Sequence, residues 1–302
     1  MKTISIIVNK IWEVEPVLNA MLGSELRPTG LPLPQILNSP NDGSNKMDIP
    51  RAVFTLPEGN NPTLLIEVWC IQDLMYHDRK ADPSKQSSSS SAEKYRILPH
   101  IMQSDNPDLV IAVGTAGYPS DTSLNGSVVI GSNFFIHDGH PGNPKSKFDH
   151  PDFGKVLLSN INVQVFELIS KEFKHQVEPR FIRTPRNPAQ YPVCIASDVY
   201  TAISSVNVTD YAEYNWVDHE AREHFQKEEK RLPFKSLETT HGVIKLSTDK
   251  PIIFVSAITD RIGYFDTEVT ATQNYVSSFN AGIVLGQLIV SLYNYLLSGG
   301  TF

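Results

Sequence analysis

Short apolar runs alternate with segments of helical periodicity along most of this chain. Runs rich in β-branched residues predict strands at residues 4–8, 53–56, 64–71, 108–113, 128–136, 193–196 and 252–257. Apolar residues at helical spacing predict helices at residues 13–22, 93–103 and 156–173, and residues 243–246 read as the tail of a helix beginning near Glu238. This alternation favours the α/β class: a three-layer α/β/α sandwich around a central mixed, largely parallel sheet.

The length and composition suit one large domain. The chain has 302 residues, of which 40% are hydrophobic, so it can bury a substantial core. We find no internal repeat and predict a single domain over residues 1–302, with insertions near 26–50, 78–92 and 211–235. The serine run at residues 87–91 is flexible by composition, and it is either a loop or a cover over a pocket, with Ser91 as a candidate cap of the next helix.

The C-terminal segment, from residue 269 to the end, carries no charged residue. Such a segment predicts a long helix, which either spans a membrane or packs inside a core. Polar residues interrupt the apolar run, and no basic cluster flanks it; we therefore predict a core helix. The interrupting residues are Ser277, Ser278, Asn280, Gln287, Ser291 and Asn294.

The charge balance and the cysteines narrow the class of protein. The formal net charge is −7 and the basic residues are dispersed, which argues against a nucleic-acid groove. Cys70 and Cys194 lie in apolar runs without metal-ligand spacing, so we predict two buried free thiols. The first residues lack the apolar stretch of a signal peptide, and together these features predict a cytoplasmic protein without a membrane partner.

Polar or glycine-containing segments follow four of the predicted strands. Glu13 follows the first strand, the sequence GTAG at 114–117 the fourth, Asp198 and Tyr200 the sixth, and Asp260 the seventh. Ligands of open α/β sheets bind beyond the carboxyl ends of strands, so we expect a pocket there. Asp260 is open to two interpretations: a general acid with a raised pKa at the rim of a dry strand, or a simple cap of the next segment.

Five segments in order resemble the nucleoside phosphorylase/nucleosidase superfamily. They are PDLVIAVGTAGYPSD from residue 107, LNGSVVIGSNFFIHD from 124, SDVYT from 197, SLETT from 236 and SAITD from 256. The N-terminal stretch IIVNKIWEVEPVL is similar to the segment of the methylthioadenosine/S-adenosylhomocysteine nucleosidases that carries their water-activating glutamate. Together the segments span most of the chain.

The resemblance implies a role for each matching residue. Asp260 matches the general acid that protonates or hydrogen-bonds the purine N7, and Glu13 matches the water-activating glutamate, with Glu15 as the alternative. Glu238 matches the carboxylate that binds the ribose hydroxyls. The remaining predicted pocket residues are Leu237 under the sugar, Tyr200 stacked on the base with Asp198 beside it, and Thr115 and Gly117 along the wall.

These roles fit the chemistry of N-glycosidic bond cleavage. Positive charge develops on the ribose and negative charge on the leaving base, so carboxylates and an acid around the sugar stabilise both. We therefore predict a nucleosidase that needs no cofactor, with a small-molecule nucleoside, purine-like, as its partner. Phosphorolysis, with phosphate as co-substrate and Lys10 as a candidate ligand, remains an alternative, although the glycine-rich turn of the phosphorylases is absent.

One further alternative function stays open, and a metal site is set aside. A non-catalytic nucleoside-binding protein would keep the fold and lose turnover. No metal site is predicted: His219 and His224 are spaced five apart, off one helix face, and His137, Asp138 and His140 read as polar loop residues. The resemblance also implies a homo-oligomer, in which a neighbouring copy completes the pocket.

Overall fold

The computed structural model describes most of the chain, with gaps. The described residues are 1–22, 35–36, 49–58, 61–81, 91–120, 123–137, 150–162, 165, 167–169, 171–196, 201–204, 223, 225, 227 and 230–302. The predicted insertions at 26–50, 78–92 and 211–235 fall largely outside these residues.

The described strands join one twelve-stranded sheet. They are Lys2–Val8 (β1), Gln35–Ile36 (β2), Ala52–Glu58 (β3), Asn61–Cys70 (β4), Leu109–Tyr118 (β5), Val128–Gly131 (β6), Phe134–His137 (β7), Val156–Leu157 (β8), Cys194–Ala196 (β9), Thr201–Ser204 (β10), Ser236–Glu238 (β11) and Ile252–Arg261 (β12). The main path runs β2-β3-β4-β1-β5-β11-β10-β7-β8, while β12 pairs with β5 and, through β6, leads to β9. The central strands β4, β1, β5 and β12 are parallel to their neighbours in that set.

Helices cover both faces of this sheet. The helices with described bounds are Ile11–Leu22 (α1), Ile71–Ala81 (α2), Ser91–Asp105 (α3), Lys171–Val177 (α4), His241–Leu246 (α5), Phe265–Glu268 (α6) and Ala271–Leu297 (α7), with a 3₁₀ turn at Glu178–Arg180. Apolar residues of α1 and α7 pack on one face, and those of α2, α3 and α5 pack on the other. This confirms the predicted α/β sandwich with a mixed, largely parallel sheet.

The central strands are apolar throughout because both of their faces are covered. Along β5, Ile111 and Val113 point to the α1/α7 layer, whereas Val110 and Ala112 point to the α2/α3/α5 layer. Cys70 and Cys194 are buried free thiols, as predicted. Burial raises the pKa of Cys194 to about 12.

The uncharged C-terminal segment forms α7. By length and composition this helix could cross a membrane, but 72% of its most apolar stretch is buried inside the protein. Two of its interrupting polar residues bind backbone within the fold. The Ser277 hydroxyl donates to the Ile258 carbonyl (2.7 Å), and Asn280 Nδ2 donates to the Gly126 carbonyl (2.8 Å). The helix therefore packs as a core element, as the sequence predicts.

Several local predictions are wrong. Residues 156–173 do not form one helix, because Val156 and Leu157 pair with β7 and α4 begins only at Lys171. By contrast, residues 243–246 do end a helix, as predicted; this helix, α5, begins at His241, three residues after β11 ends at Glu238.

One predicted turn and one predicted helix cap also differ from the structure. Residues 114–117 are not a turn after a strand: β12 continues to pair alongside them, and so β5 extends to Tyr118. Ser91 is the first residue of α3 rather than its cap, and its buried Oγ has no hydrogen-bond partner within the described ranges.

Candidate active site

A gap in the strand pairing of β5 positions the site. β12 pairs with one edge of β5 from Val110 to Tyr118. On the opposite edge, the parallel strand β1 pairs only as far as Val113, and the antiparallel strand β11 pairs at Gly117. Among the described residues, no strand pairs with the intervening stretch of that edge, which is centred on Thr115. Because β1 and β11 run in opposite directions, the residues after both strands converge on this gap.

Glu13 fills the gap from the β1 side. Its Oε1 accepts hydrogen bonds from the Thr115 backbone N–H (2.9 Å) and from Thr115 Oγ1 (2.8 Å). Its Oε2 accepts from the backbone N–H of Lys10 (2.8 Å), which is half of a capping box at the start of α1. Glu13 is buried, whereas Glu15 on the same helix is exposed. Of these two glutamates, Glu13 is the one that lies at the gap.

Glu238 enters the gap from the β11 side. Its Oε2 accepts hydrogen bonds from the backbone N–H groups of Thr240 (2.6 Å) and His241 (2.5 Å), which fixes the carboxylate at the start of α5. Its Oε1 would lie 3.4 Å from a Cβ atom at Gly114, so the carboxylate lies in contact distance of this part of β5. The carboxylate is 5% exposed.

Asp260 lies on the other edge of β5, near the end of β12. A β-bulge between Ile258 and Asp260 leaves Thr259 as an extra residue and places Asp260 opposite Gly117. The Thr259 hydroxyl donates to Asp260 Oδ1 (2.7 Å), while Oδ2 would lie 3.6 Å from a Cβ atom at Gly117. The next helix, α6, has Tyr264 as its N-cap, so the interpretation of Asp260 as a helix cap is wrong.

The other predicted pocket residues divide into two groups. Leu237 pairs with Gly117 and packs on a small apolar cluster that includes Ile262. Tyr200 and Asp198, between β9 and β10, lie outside the described residues, as do Asp138 and His140. Among the described residues, we find no cluster of three His, Cys, Asp or Glu side chains that would hold a metal ion.

The structure adds residues that the sequence patterns did not single out. Lys94, on α3, is 3% exposed, and its Nζ donates to Thr240 Oγ1 (2.7 Å). His241 is fully buried; its Nδ1 lies 3.4 Å from Ser256 Oγ, and its Nε2 has no hydrogen-bond partner in the part of the chain that the structure describes. A lysine within a mixed polar helix carries no local signal of burial, although Thr240 is the last residue of the SLETT segment and His241 directly follows it.

Burial and neighbouring charges shift the pKa values of Glu13, Lys94 and His241. Desolvation, together with the nearby charge of Glu238, raises the pKa of Glu13 above its ordinary value, against the lowering effect of its hydrogen bonds from Thr115. Desolvation lowers the pKa of Lys94 to about 8, although Glu238 and Glu13 favour its charged form. Burial also lowers the pKa of His241, which keeps its ring neutral.

The fold is shared with nucleosidases of known structure. The chain matches no protein-family model and no curated protein sequence. Its structure is similar to the futalosine hydrolase of Helicobacter pylori strain 26695, with 12% sequence identity, a TM-score of 0.53, and coverage of 96% of this chain and 97% of that one. The resemblance inferred from the sequence is thus confirmed at the level of the fold.

Two further structures are similar over their whole length. One is the 5′-methylthioadenosine/S-adenosylhomocysteine nucleosidase from Neisseria meningitidis in complex with methylthio-immucillin-A, with 14% identity, a TM-score of 0.53, and coverage of 96% and 99% of the two chains. The other is the 5′-methylthioadenosine nucleosidase of Arabidopsis thaliana, with 11% identity, a TM-score of 0.52, and coverage of 98% and 96%.

Proposed function

We propose that this chain hydrolyses the N-glycosidic bond of a purine nucleoside or a related compound. The observation that supports the proposal is that three buried carboxylates lie along residues 114–117 of β5: Glu13 binds Thr115, Glu238 lies beside Gly114, and Asp260 lies beside Gly117. Acids from three distant parts of the chain would not share a buried region without a reason, because burying charge is costly unless it is compensated.

Glu13 is suited to activate water. Three donors, two of them from Thr115, hold its carboxylate in one orientation. Each carboxylate oxygen has two lone pairs, so the side chain can still accept a hydrogen bond from a water molecule. Its raised pKa makes it a stronger base than an exposed glutamate, and a base with a pKa closer to the working pH is more effective.

Glu238 and Asp260 would act on the two halves of the substrate. Because the backbone N–H groups of Thr240 and His241 hold Glu238 Oε2, its Oε1 is the oxygen oriented for the ribose hydroxyls. A negative charge there stabilises the positive charge that develops on the sugar. Asp260, on the opposite edge of β5, would donate a hydrogen bond or proton to the leaving base, whose negative charge it offsets.

Hydrolysis is favoured over phosphorolysis by the position of Glu13. Backbone N–H groups are what hold a phosphate, and here those of Lys10 and Thr115 already donate to the Glu13 carboxylate. A carboxylate at this place would also repel a phosphate dianion. The Glu13 carboxylate thus disfavours phosphate, but not a neutral water molecule, as the nucleophile.

A substrate panel tests the proposal. The purified chain is incubated with adenosine, inosine, 5′-methylthioadenosine, S-adenosylhomocysteine and futalosine, with and without phosphate, and free base and sugar are separated by chromatography. We expect release of base and free sugar without phosphate. Formation of a sugar 1-phosphate that depends on phosphate would show phosphorolysis instead, and binding of nucleoside without cleavage would show a non-catalytic protein.

The matched control distinguishes chemistry from folding. The Asp260→Asn variant keeps the shape of the side chain but has no acidic proton, so cleavage should fall by about 10²- to 10⁴-fold. Asp266→Asn changes an exposed aspartate in α6 and should cleave at the rate of the unmodified chain. Equal activity of both variants would exclude Asp260 as the acid.

A further inference from the structure

Lys94 places a buried ammonium group at the site, and the proposed reaction gives this group no role. Lys94 lies four residues into α3, and α3 packs against α5, which follows the Glu238 strand. Among the described residues, only Thr240 Oγ1 accepts a hydrogen bond from Nζ. A buried ammonium group with one of three hydrogen bonds made is costly unless nearby charges compensate it.

The compensating charges are the two glutamates of the site. Glu238 and Glu13 both favour the charged form of Lys94, and Glu238 has the larger effect. Lys10 disfavours it, and His241 is kept neutral by burial. The region around Thr240 therefore holds one buried cation opposite two buried carboxylates.

The contacts also connect Lys94 to the orientation of Glu238. Thr240 Oγ1 accepts from Lys94 Nζ, and the backbone N–H of the same threonine donates to Glu238 Oε2. One residue thus lies between the cation and the carboxylate. Since the ammonium can only donate, its bond fixes the Thr240 rotamer and with it the turn that holds Glu238.

We propose that Lys94 is a positioning residue, which holds the Glu238 turn in place for the sugar and supplies the positive charge opposite Glu238 and Glu13. The inference rests on the proposed function, because it assigns these carboxylates to the ribosyl group and to water. Lys94 acts through its hydrogen bond to Thr240 and through the positive charge of its ammonium group. It forms no bond to the reacting atoms.

The pH profile of cleavage carries the first test. In the unmodified chain, Lys94 loses its charge as the pH rises through about 8, so kcat/KM should fall above that pH. Lys94→Met should lower kcat/KM by about 10- to 100-fold, the range typical of residues that orient a reacting group. The fall in kcat/KM above about pH 8, which is due to loss of the Lys94 charge, should be absent from this variant.

Two substitutions serve as controls. Lys94→Arg keeps the positive charge at all working pH values. The pH above which kcat/KM falls should therefore be higher in this variant than in the unmodified chain. Lys245→Met removes another buried lysine, on α5, which faces Asp249 rather than the site, and it should leave the pH profile unchanged.

An unfolding experiment tests the charge coupling without reference to activity. Lys94→Met and Glu238→Gln are measured singly and together by urea unfolding at pH 6.5. Each single change leaves the opposite charge buried and less compensated, so the double variant should lose less stability than the sum of the two. The pair Lys245→Met and Glu238→Gln should be additive.

Each outcome decides between the proposals. If the unmodified chain cleaves no nucleoside, the proposed function fails, while the unfolding cycle still tests the coupling of Lys94 to Glu238. An unchanged pH profile in Lys94→Met, or additive unfolding, overturns the inference. Phosphate stimulation that is lost in Lys94→Met would also overturn it, because Lys94 would then be an anion ligand. If Lys94→Met does not fold, the test compares the pH above which kcat/KM falls in the unmodified chain and in Lys94→Arg. The same pH in both would overturn the inference.

Discussion

At the scale of single residues, Glu13 and Glu15 show how burial separates two chemically equal side chains. They lie two positions apart at the start of α1, and the sequence left both as candidates for the base. Glu13 turns inward and binds Thr115 across the sheet, while Glu15 stays exposed. Only the inward glutamate combines a fixed orientation with a raised pKa.

This difference predicts unequal effects of the same substitution. Glu13→Gln removes the proposed base and should reduce kcat by about 10²- to 10⁴-fold, because an amide cannot take a proton from water. Glu15→Gln, the control on the same helix, should keep kcat within twofold of the unmodified chain. Steady-state cleavage of the best substrate from the panel measures both. Equal losses in the two variants would contradict the assignment of Glu13.

At the scale of elements, close packing of α1 on α7 fixes the helix that carries Glu13. Gly282 of α7 lies against Val17 and Ala20 of α1, and a Cβ atom there would come within 2.5 Å of the Val17 carbonyl oxygen. Gly286, one turn further along α7, has no other atom within 4 Å of the equivalent position. The two glycines thus share a helix but not a packing role.

Alanine substitutions at the two glycines should therefore change stability in opposite directions. Gly282→Ala forces α1 and α7 apart, and we expect a loss of about 1–3 kcal/mol in the free energy of unfolding, as for other overpacked cores. Gly286→Ala adds helix propensity without a clash and should stabilise by about 0.5–1 kcal/mol. Urea unfolding measures both values. A Gly282→Ala variant as stable as Gly286→Ala would show that the close contact is absent.

At the scale of the whole molecule, a pair of carboxyl groups on the α3 side of the sheet affects the pH dependence of folding. Glu67 of β4 lies beside Asp105 at the end of α3, and burial together with the hydrogen bond to Asp105 raises the pKa of Glu67 to about 8. Asp105 Oδ2 also accepts hydrogen bonds from Ser5 Oγ (2.7 Å) and Trp69 Nε1 (2.6 Å).

The raised pKa means that the folded chain holds this proton more tightly than the unfolded chain. The contribution of Glu67 to stability should be complete below about pH 4.5 and should be lost as the pH rises from there to about 8. Glu67→Gln should remove this dependence, so the difference in unfolding free energy between it and the unmodified chain should change over that interval. Glu172→Gln, at an exposed position, should show a constant difference.

The sequence was sufficient for some features and insufficient for others, for identifiable reasons. The apolar runs of β1, β5 and β12 predicted the parallel sheet because their pattern is local and both of their faces are buried. The prediction of one helix at residues 156–173 was wrong because Val156 and Leu157 pair with β7. Helical periodicity within the segment carries no information about that pairing. Lys94 was missed because its burial depends on α5, which lies more than 100 residues away.

The sequence by itself therefore determined the fold class and the segments that carry the acidic side chains, since the hydrophobic pattern and the short motifs are properties of neighbouring residues. Only the tertiary structure decided that β1 ends at Val113 of β5, that β11 returns at Gly117, and that Glu13 and Glu238 meet in the gap between them. Strand register, the bulge before Asp260 and the burial of Lys94 arise from pairings across 100 residues or more, where local propensity carries no information.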